Sequence, residues 1–232
     1  MLRLKELVTL SKPFIIEFSG TPRTGKTSTI NNLYDFFKKG GFNIQVIQEF
    51  TTSNYYKDKL KKIYKNYSIE KRNIAIIDEV FSQLIEYLDK NLDIIVIDRS
   101  INDRQIWNYR CFNAGNMSGD NYQFLKDKYI KLSKQYIDFL VITYADSLIS
   151  LKRDYNCSLS LDKRSFLNIE NINSFNDSLD NLKDLFSLSV DNYLLLDTSD
   201  INLSDVSVEI ADNIMPAMRK SYIKEFKKKY KL

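Results

Sequence analysis

The stretch Gly20-Thr21-Pro22-Arg23-Thr24-Gly25-Lys26-Thr27 constrains this chain more than any other. It matches G-x-x-x-x-G-K-[ST], the spacing of a phosphate-binding loop, at every fixed position. The same letters can occur in an ordinary surface turn, so the flanks decide. Upstream, Phe14-Ile15-Ile16-Glu17-Phe18 reads as a short apolar strand. Downstream, Ile30, Leu33, Tyr34 and Phe37 recur at helical spacing until Gly40-Gly41. Strand, glycine loop and helix is the context in which the motif works. The glycines let backbone amides turn inward on an anion, and the helix that starts near Lys26 adds unpaired N–H groups and the positive end of its dipole. Gly20 to Ser28 are therefore the expected nucleotide-binding residues. Lys26 is placed to reach the terminal phosphates, and the Thr27 hydroxyl to sit on Mg²⁺.

Four further strands follow at regular intervals. Asn43–Glu49 alternates Ile44 and Val46 with polar neighbours and ends in an acid. Asp93–Asp98 is a continuous apolar run closed by a carboxylate, as expected of a strand buried on both faces of a parallel sheet. Asp138–Tyr144 and Tyr193–Asp197 complete the set. The run Ile74-Ala75-Ile76-Ile77-Asp78-Glu79 resembles a strand ending in two acids, but a period of 3.6 continues through it from Ile69 to Lys90, which predicts a helix. Ile101–Gln135 reads as helix broken around Asn113–Asn121, where Gly115 and Gly119 sit, and Val206–Met218 as a closing helix. Lys152–Asp177 is charged and poor in pattern, and is expected to be a mobile flap.

Strands alternating with helices imply right-handed crossovers and a parallel α/β sheet, with ligands bound beyond the carboxyl ends of the strands. The phosphate loop, Glu49 and Asp98-Arg99 all fall at such ends. Arg99 offers a planar fork for a phosphate or a carboxylate. The chain contains no histidine, so proton abstraction from an acceptor hydroxyl falls to a carboxylate, with Glu49 the candidate, or else Glu49 holds Mg²⁺ through water. Arg23 could touch the γ-phosphate, and Arg153 and Arg164 could close over it. Arg153, Lys163 and Arg164 each read as solvated surface charges before they read as catalytic ones.

The order of these motifs resembles the thymidylate kinase and deoxynucleoside kinase group of P-loop kinases. Asp98-Arg99-Ser100-Ile101, with Tyr109-Arg110-Cys111-Phe112 beyond it, is similar to deoxynucleoside kinases, and Arg23 resembles the loop arginine of some thymidylate kinases. The resemblance implies a single three-layer P-loop NTPase domain over residues 1–232, with a five-stranded parallel sheet in the order 2-3-1-4-5 and a lid over about 152–177. It implies ATP as donor and Mg²⁺ held by Thr27 and Asp98. Lys26, Arg23, Glu49, Arg99 and Arg153 are then the catalytic group, Asp197-Thr198-Ser199 lie near the adenine, and a homodimer forms through helices beside the third strand. The acceptor it implies is a nucleoside or nucleoside monophosphate. Three positions depart from the group's pattern: Phe50 where proline is usual, Pro22 for a sugar-binding acid, and Glu79 for a substrate-binding arginine. These leave the acceptor open.

Two other function classes compete. A hydrolytic switch of the same fold usually carries a second acid directly after the strand-end aspartate, a place held here by Arg99. A nucleic-acid partner would use the basic end: Arg219–Lys231 holds seven basic residues against the single acid Glu225, so this stretch carries +6 and the rest of the chain about −2 of the total +4. A near-neutral body is not the basic surface of a duplex binder, and a terminal charge run is ordinarily a solvated helix end. Two cysteines form no disulfide framework. With no signal sequence and no long apolar run, a cytoplasmic protein with free thiols and no membrane segment is expected.

Overall fold

The computed structural model describes residues 2–49, 65–153 and 168–232. Its elements, numbered in chain order among these residues, are α1 (Leu2–Leu7), β1 (Phe14–Gly20), α2 (Lys26–Lys39), β2 (Ile44–Ile47), α3 (Ile69–Leu88), β3 (Ile94–Asp98), α4 (Ile101–Asn113), α5 (Gly119–Tyr136), β4 (Phe139–Tyr144), α6 (Ser147–Arg153), α7 (Ile169–Asn181), α8 (Lys183–Ser189), β5 (Tyr193–Asp197) and α9 (Leu203–Tyr230). All four strand pairings are parallel and the order is β2-β3-β1-β4-β5.

Alternation along the central strands sorts the core into two layers. Phe14, Ile16 and Phe18 of β1, with Ile94 and Val96 of β3, pack under α1, α2 and α9. Ile15, Ile95, Ile97, Leu140 and Ile142 point the other way, into α3, α4, α5, α7 and α8. This is the three-layer sandwich expected, in the expected strand order. Ile74–Glu79 lies within α3, whose first turn is capped by the Ser68 side chain accepting from Lys71 N at 3.2 Å. The break between α4 and α5 falls where Gly115, with a φ of 70°, turns the chain.

The middle of the flap expected over 152–177 lies outside the described residues; at its two ends, Lys152 and Arg153 close α6, and from Ile169 the chain is in α7. Asn168 caps α7, and Ile172, Phe175 and Leu179 are buried along one face. That stripe is sparse among polar residues, and so the pattern was missed. Arg164, Lys163 and Cys157 lie outside the described residues, as do Phe50–Tyr64. The closing helix does not stop at Met218. It continues to Tyr230 through Pro216, because Val206, Ile210, Ile214, Met218 and Tyr222 form one unbroken buried stripe, leaving the lysines on the solvent side. Cys111 is a free thiol. Among the described residues no helix is long and apolar enough to cross a membrane.

Candidate active site

Gly20 ends β1 at a φ of 122°, and a methyl group built there would lie 1.9 Å from the Thr143 carbonyl oxygen of β4. Only glycine lets the loop leave the sheet at this point. The Thr21 amide then donates to that same carbonyl at 2.9 Å. Gly25, at a φ of 87°, precedes α2 and supplies no side-chain cap. The first amides of α2 are thereby left for an anion, as the motif requires. Buried hydroxyls brace the loop. Thr24 and Thr143 are bonded at 2.6 Å, and Thr24 Oγ1 reaches the Thr21 carbonyl at 3.1 Å. The Thr21 hydroxyl donates to Asn176 Oδ1 of α7 at 2.6 Å, and Asn176 Nδ2 donates to the Ala145 carbonyl at 2.9 Å. Pro22 is half-buried, whereas Arg23, Thr27 and Ser28 are exposed, and Arg23 adopts a φ of 63°.

Lys26 is buried inside this loop, its ammonium bonded to the Gly20 and Thr21 carbonyls and, at 3.4 Å, to Thr24 Oγ1. Burial and the neighbouring Arg99 guanidinium pull its pKa down, opposed by Asp98, Asp103 and Glu49. These influences put the loop lysine and the acidic-basic corner within electrostatic reach of each other.

That corner comes from three elements. Arg99 follows β3 at a φ of 62°. Its Nε pairs with Glu49 Oε2 at 3.3 Å, and one terminal nitrogen with Asp103 Oδ1 of α4 at 2.9 Å. Burial works against the charge on Arg99, but Asp103, Glu49 and Asp98 outweigh it and hold the guanidinium above its usual value. Asp103 is itself fully buried. It also accepts from Ser19 Oγ at 3.0 Å and from Trp107 Nε1 at 3.0 Å. Asp98 is raised by burial, against the pull of Arg99 and Lys26, and its Oδ1 is buried with no hydrogen-bond partner. A buried carboxylate oxygen left unpaired suits a hard divalent cation, which asks for oxygen ligands and takes one or two carboxylates together with phosphate oxygens.

The structure therefore brings Gly20–Thr27, Glu49, Asp98 and Arg99 to one rim. Arg153, expected in the phosphate clamp, is bonded here after β5: its guanidinium donates to Thr198 Oγ1 at 3.0 Å and to the Thr198 and Ile201 carbonyls. Those carbonyls lie beyond the end of the strand, where no sheet neighbour uses them, and they satisfy a cation that is otherwise desolvated.

Four working residues escaped the sequence. Asp103 had a signal, since it lies four residues beyond Arg99 on a helix and such pairs meet. Glu17 had one too, as a charge inside the apolar strand FIIEF. Thr143 and Asn176 had none, because the motif does not specify what packs beneath its loop.

No protein-family model matches the chain, and no curated protein sequence matches it. Solved structures do. One is a deoxyadenosine kinase from M. mycoides with bound dATP, 16% identical with a TM-score of 0.59, covering 88% of this chain and 100% of that one. Another is the same organism's deoxyadenosine kinase with the products dCMP and a flexible dCDP bound, 17% identical with a TM-score of 0.61 and the same coverage. At such identity the likeness speaks to architecture. The chain has the fold of the deoxynucleoside kinase-like P-loop kinases.

Proposed function

We propose that this protein is a kinase that transfers the γ-phosphoryl group of ATP to a hydroxyl of a nucleoside or nucleoside monophosphate. One observation carries the reading: Lys26, Asp98, Arg99 and Glu49 arrive at a single rim from β1, β2 and β3, with Arg99 already paired to Glu49. The solved deoxyadenosine kinases, with dATP or the products dCMP and dCDP bound, support a nucleoside-type acceptor for this fold.

Phosphoryl transfer asks mainly for positioned charge and an aligned acceptor. The loop amides and Lys26 hold the donor phosphates, and Lys26 leaves the Gly20 and Thr21 carbonyls to do so. Arg23 stands on the exposed side of the loop, in reach of the γ-phosphate. The acceptor oxygen attacks the γ-phosphorus and its proton passes to Glu49. The bond to the bridging oxygen breaks and ADP departs. Arg99 holds Glu49 and orients the acceptor. Thr27 and Asp98 are the residues that would hold Mg²⁺, which neutralises phosphate charge when bound. Arg153 takes no catalytic part in this scheme, being committed to the turn after β5.

The test is ATP turnover against a panel of nucleosides and nucleoside monophosphates, with Lys26→Ala as control. Acceptor-dependent ADP formation above the control supports the kinase. Hydrolysis indifferent to every acceptor supports a nucleotide-hydrolysing switch instead.

A further inference from the structure

One face of β1 runs from Ile15 through Glu17 to Ser19. Ile15 belongs to the apolar layer, and Ser19 bonds Asp103. Between them lies Glu17, a carboxylate with no exposure at all. An unpartnered charge inside a parallel sheet would be strongly destabilising, so its partners reveal its task. Oε1 accepts from the amides of Ser100 (3.1 Å), Asn102 (2.8 Å) and Asp103 (3.1 Å), and Oε2 from Asn102 Nδ2 (2.9 Å). Those amides are donors that the first turn of α4 leaves open. Ser100, at the N-cap of α4, makes no side-chain cap bond. A strand thus caps a helix that starts at the end of a different strand.

The residue just before that cap is Arg99, in a left-handed conformation that is strained for a non-glycine residue and persists only where its surroundings over-determine it. Its amide donates to the Phe18 carbonyl at 2.8 Å. Two consecutive residues of β1 therefore hold the bend, Phe18 through its carbonyl and Glu17 through its side chain.

We propose that Glu17 is a positioning residue for the acceptor corner: it clamps the β3–α4 turn so that the Arg99 guanidinium lies between Glu49 and Asp103. Glu17 touches no substrate. It ties the strand that ends in the phosphate loop to the turn that aims Arg99, and so registers donor against acceptor. The kinetic arm of its test rests on the kinase reading above; the spectroscopic arm does not.

Glu17→Gln keeps an acceptor oxygen for the three amides but sets a donor against Asn102 Nδ2. Glu17→Gln with Asn102→Asp restores complementarity. Three readouts are taken on the full chain. They are the Arg99 Nε–H resonance in ¹⁵N-arginine spectra (assigned by its loss in Arg99→Lys), the Kd of a fluorescent ATP analogue, and kcat and KM for the best nucleoside of the panel. In Glu17→Gln the resonance shifts or broadens. The acceptor kcat falls about tenfold and its KM rises about fivefold, on the scale that sub-ångström misplacement of a reacting group exacts, while the analogue's Kd stays within about twofold. The double variant returns the resonance and most of the kcat. An unmoved resonance overturns the proposal, as does loss of ATP-analogue binding in step with kcat, or a lowered Tm with unchanged acceptor kinetics. If Glu17→Gln does not fold, Asn102→Ala carries the same test with changes of about threefold: it removes the Oε2 contact together with the side-chain bonds to Ser133 and Gln105, and keeps the backbone amide on Oε1. If the wild-type protein phosphorylates no acceptor, the kinase reading falls, and the Arg99 resonance still decides the role of Glu17.

Discussion

Gly20–Thr27 is one contiguous bend whose working groups are backbone amides and a single lysine. The corner opposite draws Glu49, Arg99 and Asp103 from three separate elements and works through side chains. The two also differ in what holds them. The bend is braced locally by Thr24 on Thr21, and among the described residues takes outside help from Thr143 of β4 and from Asn176. The corner is braced from a distance, by Glu17 and Ser19 on the neighbouring strand. A bend built from main chain tolerates wide side-chain variation, whereas a corner built from side chains depends on the register of strands with no other reason to agree.

The largest expected effect falls on the bend. Lys26→Ala lowers ATP-dependent transfer by about 10³-fold or more, the scale of a cationic group on a transferring phosphoryl, while thermal unfolding shows the fold intact. Retained turnover would remove the bend from the mechanism. Gly20→Ala affects the same region through the fold itself. The added methyl meets the Thr143 carbonyl at 1.9 Å, so urea titration is expected to show a loss of about 3 kcal/mol or more. On the other side, Glu49→Gln lowers kcat by about 10²-fold with ATP affinity unchanged. The double variant with Arg99→Lys loses less than the sum of the two single changes, since the pair acts as one unit. Additive losses would break the idea of a linked corner.

A smaller effect separates the two by pH. Burial pushes Glu17 up from its ordinary 4.5 to about 7, against the pull of its four donors. The folded state then binds more protons than the unfolded chain between these values. Stability is full below about pH 4.5 and declines as pH rises through about 7, by no more than about 1.4 kcal/mol per unit. Urea unfolding at pH 5 and 7.5 shows a larger decline in the wild type than in Glu17→Gln, where the likewise raised Asp98 still contributes. Least of all, Lys220, Lys224 and Lys228 changed together to Gln shift stability by less than about 0.5 kcal/mol and leave turnover and its salt dependence unchanged, because these lysines are exposed on α9. Truncation after Met218 is a poorer probe of the tail, since it removes the buried Tyr222.

The bend was legible because its chemistry is local. Eight consecutive residues, a strand before and a helix after contain all that the amides require. Glu49 and Arg99 were legible as strand-end residues, which topology alone brings to one rim. Asp103, Glu17 and Asn176 were not read, and for different reasons. Asp103 and Glu17 announce themselves only as charges in apolar or helical runs, without saying what they meet. Asn176 sits in a helix whose buried stripe of Ile172, Phe175 and Leu179 is masked by polar neighbours, and its contact with Thr21 spans 155 positions.

The sequence by itself determined the α/β class, the identity of all five strands, the helical reading of Ile74–Glu79 and the glycine bend between β1 and α2, because each follows from periodicity or from backbone geometry over a few residues. Only the tertiary structure decided that Arg153 turns to the carbonyls after β5, that α9 runs past its basic stretch to Tyr230, and that a glutamate within β1 caps a helix begun on β3. Those outcomes depend on which orphaned donors and acceptors meet once the sheet has closed, and a linear pattern holds no record of that pairing.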